Sequence, residues 1–428
     1  MFQTIINAFK IKDVRRKIYI TLALLFVYRL GCTIPVPGVT MFSGLENYTF
    51  LEVMSAVSGG ALQFGTFFAM GIGPYINASI IMQLLAVGIP YLANLSKQGE
   101  EGKRKLNAYT RVLTLVLAIG QSIGILVAFR DSSSINFDAA LFGDNFFSYA
   151  FLVIVYTAGA ALTMWIGERI TDYGISNGIS LLIFTGILST AGQAVVNMIK
   201  GVGSESAGLT NMWVLIGFVA AAILIFLAIV AVHYAERKIS VQYAKQVKGR
   251  KMYGGQSTHI PIKINATGVM PLIFSFSILS LPDMFMNMFG YQPEGWYADV
   301  FGTGGWAYII LMCLLIIFFA YFYNQIQFNP DDISKSIQGN GGFIPGIRPG
   351  KPTADYLKKV SNRITLFGAI FLALVALVPS MVFKAIGGEG LMNVLSATGL
   401  LIIVSVALEF EQALQSQIMM KNYKGFLK

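Results

Sequence analysis

Charged residues are scarce in this sequence, and so are cysteine and histidine. Asp, Glu, Lys and Arg make up only 12% of the 428 residues, whereas 55% are apolar. A typical soluble domain carries about 25% charged residues, so the composition indicates a membrane protein. Cys32 and Cys313 both fall inside apolar runs, where we expect free thiols and neither a disulfide framework nor a metal site. Since His233 and His259 are the only histidines, no metal or other cofactor is expected.

A nucleotide-binding loop is also lacking. Residues 346–353, GIRPGKPT, are superficially similar to a phosphate-binding loop. However, no glycine lies five residues before Gly350, and Pro352 replaces the Ser or Thr that would contact Mg²⁺. Any energy from ATP must therefore come from a partner protein, and we do not expect the chain to be an enzyme.

Long apolar runs are what the sequence has instead. A transmembrane helix needs about 20 predominantly apolar residues, and several segments meet this requirement. We predict ten spans, at 18–36, 74–92, 109–129, 149–167, 179–199, 213–233, 266–288, 305–326, 364–384 and 391–410.

The basic residues predict the orientation of these spans. With the N-terminus inside, only Arg29, Arg130, Lys200 and Lys384 of the 31 Lys and Arg residues fall outside the inner segments. Because positive residues are retained on the cytoplasmic side, both termini are predicted to be cytoplasmic. The net charge of +10 is then mainly a property of the cytoplasmic face, which attracts anionic lipid head groups and nucleic acid.

The stretch 58–85, SGGALQFGTFFAMGIGPYINASIIMQLL, is apolar but poorly suited to one straight helix. Glycines at 59, 60, 65, 71 and 73, and Pro74, all weaken a helix. Irregular backbone at membrane depth is tolerated only where protein covers it or where it adjoins a water-filled cavity. We therefore predict a half-length, re-entrant piece at 58–73 and a cavity beside it.

The spans divide into two halves at the polar stretch 200–212, with five spans on either side. Because five is odd, the halves 1–200 and 201–428 must have inverted topology, a layout in which the working site usually lies at the midplane between them. Two long basic loops, at about 234–265 and 327–363, exceed what topology alone requires and predict a docking surface.

Charged residues within the spans lie near span ends, and the mid-membrane polar residues are uncharged. We expect these charged side chains to extend to the membrane interface or to form pairs there. They are Arg29, Glu168, Arg169, Glu409 and Glu411. The simplest role of the uncharged polar residues is to form hydrogen bonds between helices. They are Asn77, Ser79, Gln83, Gln121 and Asn265. An uncharged pathway argues against transport of a small ion and favours a large cargo of no fixed charge.

Five stretches carry a resemblance to a known family. They are YRLGCTIPVPG at 28–38, GIGPYINASIIMQLL at 71–85, SNGISLLIF at 176–184, YGGQSTHIPIKIN at 253–265 and GGFIPGIRPGKPT at 341–353. These stretches resemble the SecY family, the pore-forming subunits of the bacterial protein-translocation channel. The resemblance runs nearly end to end, with ten spans in the same places.

The resemblance implies an all-α membrane protein whose two inverted five-helix halves surround an hourglass pore. A re-entrant helix is expected to plug this pore from outside, at Ser58, Gly59, Gly60, Ala61, Leu62, Gln63, Phe64, Gly65, Thr66, Phe67 and Phe68. An apolar ring is expected at its waist, formed by Ile76, Ile80, Ile179, Ile187, Ile273 and Ile402. Such a ring offers ions no polar ligand and opposes hydrated ions by dewetting. Ile76 and Ile80, four residues apart, share one helix face, and the same holds for Ile179 and Ile187.

A lateral gate and several partners are implied in the same way. Ser79, Gln121 and Asn265 match polar positions of the gate, and Arg250, Lys251, Arg348 and Lys351 are expected to dock the motor or the ribosome. The implied partners are SecE, SecG, the SecA ATPase, the ribosome, signal-sequence-bearing polypeptides and anionic lipids. The implied function is a passive channel in the bacterial plasma membrane that moves unfolded secretory polypeptides across and releases membrane-protein segments laterally.

Two other functions remain open at this point. A secondary transporter for a small solute shares inverted repeats and broken helices, but it should have charged or coordinating groups near the midplane, where this sequence has isoleucines. A membrane scaffold without a pathway would not explain the glycine-rich interruption.

Overall fold

A computed structural model of the protein describes most of the chain and is mainly helical. The described residues are 2–39, 41–42, 49–129, 146–201, 212–243, 246–248, 251–253, 257–265, 267–288, 295, 297, 300, 306–386 and 397–425. Contacts divide the chain into two compact units. The first comprises Met1–Ala207, Ser277–Tyr308 and Val406–Lys428, and the second Gly208–Phe276 and Ile309–Ser405.

The first unit contains the helices of the N-terminal part of the chain. They are α1 (Phe2–Lys10), α2 (Lys12–Gly31), α3 (Thr49–Ser58), α4 (Gly73–Gly88), α5 (Pro90–Lys97), α6 (Glu100–Ala128), α7 (Phe146–Tyr173) and α8 (Gly178–Gly201). Helix α6 packs between α4 and α7, and α7 packs against α8. Several buried hydroxyls in these helices donate to the carbonyl four residues earlier, as Thr114 does to Thr110 at 2.7 Å, so these groups are satisfied within their own helix.

The second unit contains helices and strands. In chain order, the remaining helices are α9 (Met212–Tyr234), α10 (Met270–Met288), α11 (Trp306–Gln327), α12 (Pro330–Gly339), α13 (Lys351–Ile386) and α14 (Ala397–Gly425). The strands are β1 (Glu236–Tyr243), β2 (Gln246–Lys248), β3 (Lys251–Tyr253), β4 (Ser257–Lys263) and β5 (Gly342–Phe343). Helices α10, α11 and α14 contribute residues to both units.

Each of the ten predicted spans coincides with one of these helices. Within the described part of the chain, five helical stretches are long and apolar enough to cross a membrane, or six if α4 and α5 count as one broken span. Helices α4 and α5 meet at a bend of 106°. The bend follows from Pro90, which lacks an N–H group and holds Ile89 in an extended conformation (φ −104°, ψ 115°). The predicted span 74–92 therefore ends at Gly88.

The two long loops are not irregular, which corrects a purely helical description. Strand β1 pairs antiparallel with both β4 and β5, and β2 pairs with β3. One face of the larger sheet packs on α12 and α13, and buries Ile239, Val241, Ile262, Ile337, Ile344 and Leu357. The all-α prediction is confirmed for the spans, while the loops 234–265 and 327–363 together form a small α/β layer.

Candidate functional site

Residues 59–72, between α3 and α4, form turns and not the predicted plug helix. Only Ser58 of the predicted segment 58–68 is helical, as the last residue of α3. Gly59, Gly60, Gly65 and Gly71 all have positive φ, between 52° and 82°. This backbone region favours glycine and does not propagate a right-handed helix. The segment 59–68 is therefore not helical as predicted, and a short helix, α3, lies directly before it.

The turn segment is fixed to the chain that follows α2. Phe67 N donates to Ile34 O at 2.9 Å, Val36 N to Gly65 O at 3.1 Å, and Phe42 N to Gln63 O at 2.8 Å. Leu62 is fully buried, and the Phe68 ring stacks on Tyr28 with a centroid distance of 5.6 Å. These hydrogen bonds and core contacts join residues 61–70 to the chain that follows α2.

Helix α3 rests on α8 through close backbone contact. Gly186 lies against the Val57 carbonyl, so close that a side chain at position 186 would collide with it. Thr190 Oγ1 lies 3.3 Å from the Ala56 carbonyl oxygen, within hydrogen-bond distance. Leu51 and Met54 of α3 are buried in the apolar core of the first unit. Helix α3 therefore contacts both α8 and this core, and a glycine pair, Gly59 and Gly60, directly follows it.

The Arg29 side chain turns towards the contact between α3 and α8. Its Nη2 donates to Ser189 Oγ on α8 at 2.5 Å. Its Nη1 packs directly against Gly59, is buried, and has no hydrogen-bond acceptor among the described residues. The positive charge of α2 therefore lies at the C-terminal end of α3.

The predicted ring residues lie on four helices. Ile76 and Ile80 are on α4, one turn apart, and Ile80 is buried. Ile187 is on α8 and is also buried, whereas Ile179, in the first turn of α8, packs against Gly167 of α7. Eight residues separate the two, which is about 12 Å along a helix axis. In the second unit, Ile273 is on α10 and Ile402 on α14.

Ile183 is a buried residue that the sequence prediction did not include in the ring. It lies on α8 one turn from Ile187, which is the same axial spread as the pair on α4. Its four-residue spacing from Ile187 is the signal that would have found it.

The predicted gate residues are polar groups within or next to helices. Gln83 Nε2 donates to Ser79 Oγ at 3.1 Å, so these two pair within α4. Gln121 is buried on α6, which packs directly against α4. Asn265, after β4 in the second unit, has a buried Oδ1 that accepts no hydrogen bond from the described residues.

Glu168 and Arg169, two of the charged residues predicted to snorkel or pair, have side-chain partners. Glu411 is buried on α14, where Gln415 Nε2 donates to its Oε1 at 3.4 Å. Arg111 binds Glu168 through two bonds, Nε to Oε1 at 2.9 Å and Nη2 to Oε2 at 2.8 Å, and joins α6 to α7. Arg169 lies over the rings of Trp165 and Tyr173 at 5.5 and 5.6 Å. Both arrangements keep a charge near the span end without burying it alone.

The loop that carries Arg348 is rigidly built and exposes that side chain. Thr353 Oγ1 donates to Arg348 O at 2.8 Å, and Ser334 Oγ donates to Gly350 O at 2.7 Å. Glycines on both sides, Gly346 and Gly350, have φ of 81° and 95°. Arg348 and Lys351 are both exposed.

The first long loop is only partly described. Strands β2 and β3 pair in register, with Lys248 opposite Lys251. Arg250 lies outside the described residues, and for Lys251 only the backbone is described.

Comparison with known proteins decides the family. The SecY family model matches residues 66–411. The chain belongs to the SecY family. The protein translocase subunit SecY of Streptomyces scabiei is 40% identical over 445 residues, which cover 100% of both chains. The SecY of Thermus thermophilus is 39% identical over 434 residues, which cover 100% of this chain and 98% of that one.

Solved structures share the fold of the SecY family. One described as a protein conducting channel has a TM-score of 0.66 at 20% identity, and covers 94% of this chain and 92% of its own. A SecY whose plug domain is described as stabilising the closed state and maintaining a membrane seal has a TM-score of 0.63, with the same identity and coverage. Sec61 in the canine ribosome–channel complex has a TM-score of 0.61 at 18% identity, and likewise covers 94% of this chain and 92% of its own. The chain is therefore a multi-pass membrane protein with the fold of protein-conducting channels.

Proposed function

We infer that this chain is the central subunit of a protein-conducting channel, through which unfolded secretory polypeptides cross the membrane and membrane-protein segments leave laterally. The observation that carries the inference is about 40% identity to protein translocase subunits over the whole chain. The uncharged middle of the spans and the lack of a nucleotide-binding motif in the sequence support a passive pore driven by a partner and not an enzyme.

The plug is proposed to be α3, Thr49–Ser58, with Gly59 and Gly60 as its hinge. Residues 61–70 would be the fixed rim from which it swings. The support is the glycine pair that directly follows α3, together with the backbone hydrogen bonds that join residues 63, 65 and 67 to the chain after α2. Deleting 58–68, the segment first predicted, would remove Leu62 and the rim pairing and is expected to destabilise the protein.

The apolar ring is proposed to include Ile76, Ile80, Ile183, Ile187, Ile273 and Ile402. Ile183 takes the place of Ile179, whose packing on Gly167 and distance from Ile187 fit a structural role. β-Branched side chains are stiff at χ1, so a narrow ring of them can close around a peptide without specific bonds.

The lateral gate is proposed to involve Ser79 and Gln121 from the first unit and Asn265 from the second. Hydrogen bonds between membrane helices contribute about 0.6 kcal/mol each. A gate with so few of them would be held weakly, and a hydrophobic signal helix could compete for the seam.

The basic loops are proposed to bind the partners that drive transport. The exposed Arg348 on a rigid turn supports docking of SecA, and the cationic hairpin β2–β3 with Arg250 and Lys251 supports contact with ribosomal RNA. SecE and SecG are proposed as further subunits, anionic lipids as contacts of the basic face, and the bacterial plasma membrane as the location, with both termini cytoplasmic.

Depletion of the protein from cells tests the proposed function. Newly made secretory precursors should then accumulate in the cytoplasm with their signal sequences uncleaved, while a co-expressed soluble protein is made normally. Normal processing of several precursors after complete depletion would contradict the proposal.

A further inference from the structure

We propose that Arg29 is an electrostatic catch that holds α3 in its seat, with Ser189 as the group that positions it. The inference rests on the proposal that α3 is the plug. It assigns a role to a charged side chain that neither the pore nor the docking loops explain.

The first observation is where the charge of Arg29 is held. A guanidinium is always charged, and a charged group within a membrane span is costly and therefore rare. Arg29 could avoid this cost by extending towards the interface. Instead its Nη2 donates to Ser189 Oγ at 2.5 Å, which turns the side chain inward. This hydrogen bond fixes the guanidinium on α8, with its Nη1 atom buried.

The second observation is what the charge faces. Nη1 packs against Gly59, the residue directly after the last residue of α3. The C-terminal end of a helix carries a partial negative charge, so a cation there is favourable. The nearby carbonyls are part of this end, with Ser55 O accepting from Gly60 N at 2.8 Å and Val57 O lying against Gly186. The cation and the helix end therefore attract each other.

The third observation makes the catch reversible. Nη1 is buried and has no hydrogen-bond acceptor in the described part of the chain. The attraction to α3 is thus that of a charge to a helix dipole and not a set of hydrogen bonds. When α3 moves away, Nη1 gains access to water or to a carbonyl of the passing polypeptide, which offsets part of the lost attraction. Such a catch seals a resting channel and still lets it open.

Glycine at position 59 is required by this arrangement. It has φ of +74°, and a side chain there would strike both the guanidinium and the Gly186 backbone. Gly59 is therefore both the proposed hinge of α3 and the residue that the Arg29 guanidinium contacts.

Hydrogen–deuterium exchange and resting ion conductance test the catch, with the channel reconstituted together with its partner subunits. Arg29→Gln, which removes the charge, should raise both the exchange rate of the α3 amides and the conductance about 2- to 5-fold. Arg29→Lys keeps the charge and should stay close to wild type in both. Arg15→Gln removes an exposed charge from the other end of α2 and serves as the matched control, with no change expected.

Several outcomes would overturn the proposal. If Arg29→Lys is as leaky as Arg29→Gln, the charge is not what holds α3. Unchanged α3 exchange in Arg29→Gln also refutes the catch. If Arg29→Gln fails to accumulate, Ser189→Ala is tested in its place. This variant must raise both the exchange rate of the α3 amides and the resting conductance. Deletion of 49–58 separates the two proposals. If it raises conductance while Arg29→Gln does not, only the catch fails, and if it leaves conductance unchanged, α3 is not the plug.

Discussion

The carbonyl oxygen of Val57 lies against Gly186, with no room for a side chain between the two helices. This contact lets α3 lie on α8 backbone to backbone. Because main-chain atoms form this contact, it depends on the size of the side chain at position 186 and hardly on the chemistry of that side chain. The position of α3 on α8 therefore depends on glycine at position 186.

Gly186→Val should displace α3 and raise resting ion conductance. The added side chain collides with a carbonyl that cannot move without α3. Planar-bilayer recording of reconstituted channels measures the effect. Gly192→Val is the matched control, since it lies on the same helix with no atom within 4 Å of an added Cβ. Equal conductance of the two variants would show that α3 does not rest where the structure places it.

The position of the apolar ring can be tested within α8. Ile183→Asn puts an amide into a dry constriction, where an unpartnered polar group costs about 1–3 kcal/mol, so the closed state should lose ground to a hydrated one. Export of precursors with defective signal sequences should improve in this variant. Ile179→Asn should lower protein abundance through lost packing on Gly167 without this gain. If Ile179→Asn improved this export and Ile183→Asn did not, Ile179 and not Ile183 would belong to the apolar ring.

The spans could be predicted from the sequence, whereas the short helix α3 was placed too late in the chain. A bilayer requires about 20 apolar residues, so each span is visible as a run, as 213–233 is. The limits of α3 depend on tertiary contacts with α8 and with the core of the first unit, which no local pattern states. The sequence nonetheless contains a pattern that indicates α3. Leu51, Met54 and Val57 recur at helical spacing, and Gly59 and Gly60, which end a helix, follow them.

The strands were missed for a related reason. Ile239, Val241 and Tyr243 alternate with polar residues, as do Ile260 and Ile262, which is the pattern of a half-buried strand. The length of the loop and its many basic residues favoured an interpretation as a docking surface and not as a sheet. What stabilises the sheet is burial against Ile337, Ile344 and Leu357, about 100 residues further along the chain.

Arg348→Lys and Arg348→Glu should both impair ATP-driven translocation while the protein reaches normal levels. Arginine forms forked bonds to carboxylate or phosphate that lysine cannot make, and the turn around it holds the side chain exposed with little freedom to lose. SecA-dependent precursor import into vesicles with matched amounts of each variant measures this. Lys358→Gln, an exposed change on α13, is the control and should be silent. Full activity of both Arg348 variants would contradict a specific role of Arg348 and would indicate that the loop acts through its overall basic charge.

The Arg111–Glu168 pair should contribute little to stability despite its two-bond geometry. The Arg111 side chain is 52% exposed, and exposed pairs typically contribute about 0.2–1 kcal/mol. A double-mutant cycle with Arg111→Gln and Glu168→Gln should therefore give a coupling of about 0.5 kcal/mol in the free energy of unfolding. A coupling above about 2 kcal/mol would show that the pair is shielded from solvent in the membrane.

Import of a precursor into reconstituted vesicles tests the channel function most directly. Vesicles that contain this chain with its partner subunits receive a signal-bearing precursor, SecA and ATP, and protease is then added outside. We expect a protected precursor that becomes digestible when detergent opens the vesicles, and none in vesicles prepared without the chain. Equal protection with and without the chain would contradict its role as the protein-conducting pore.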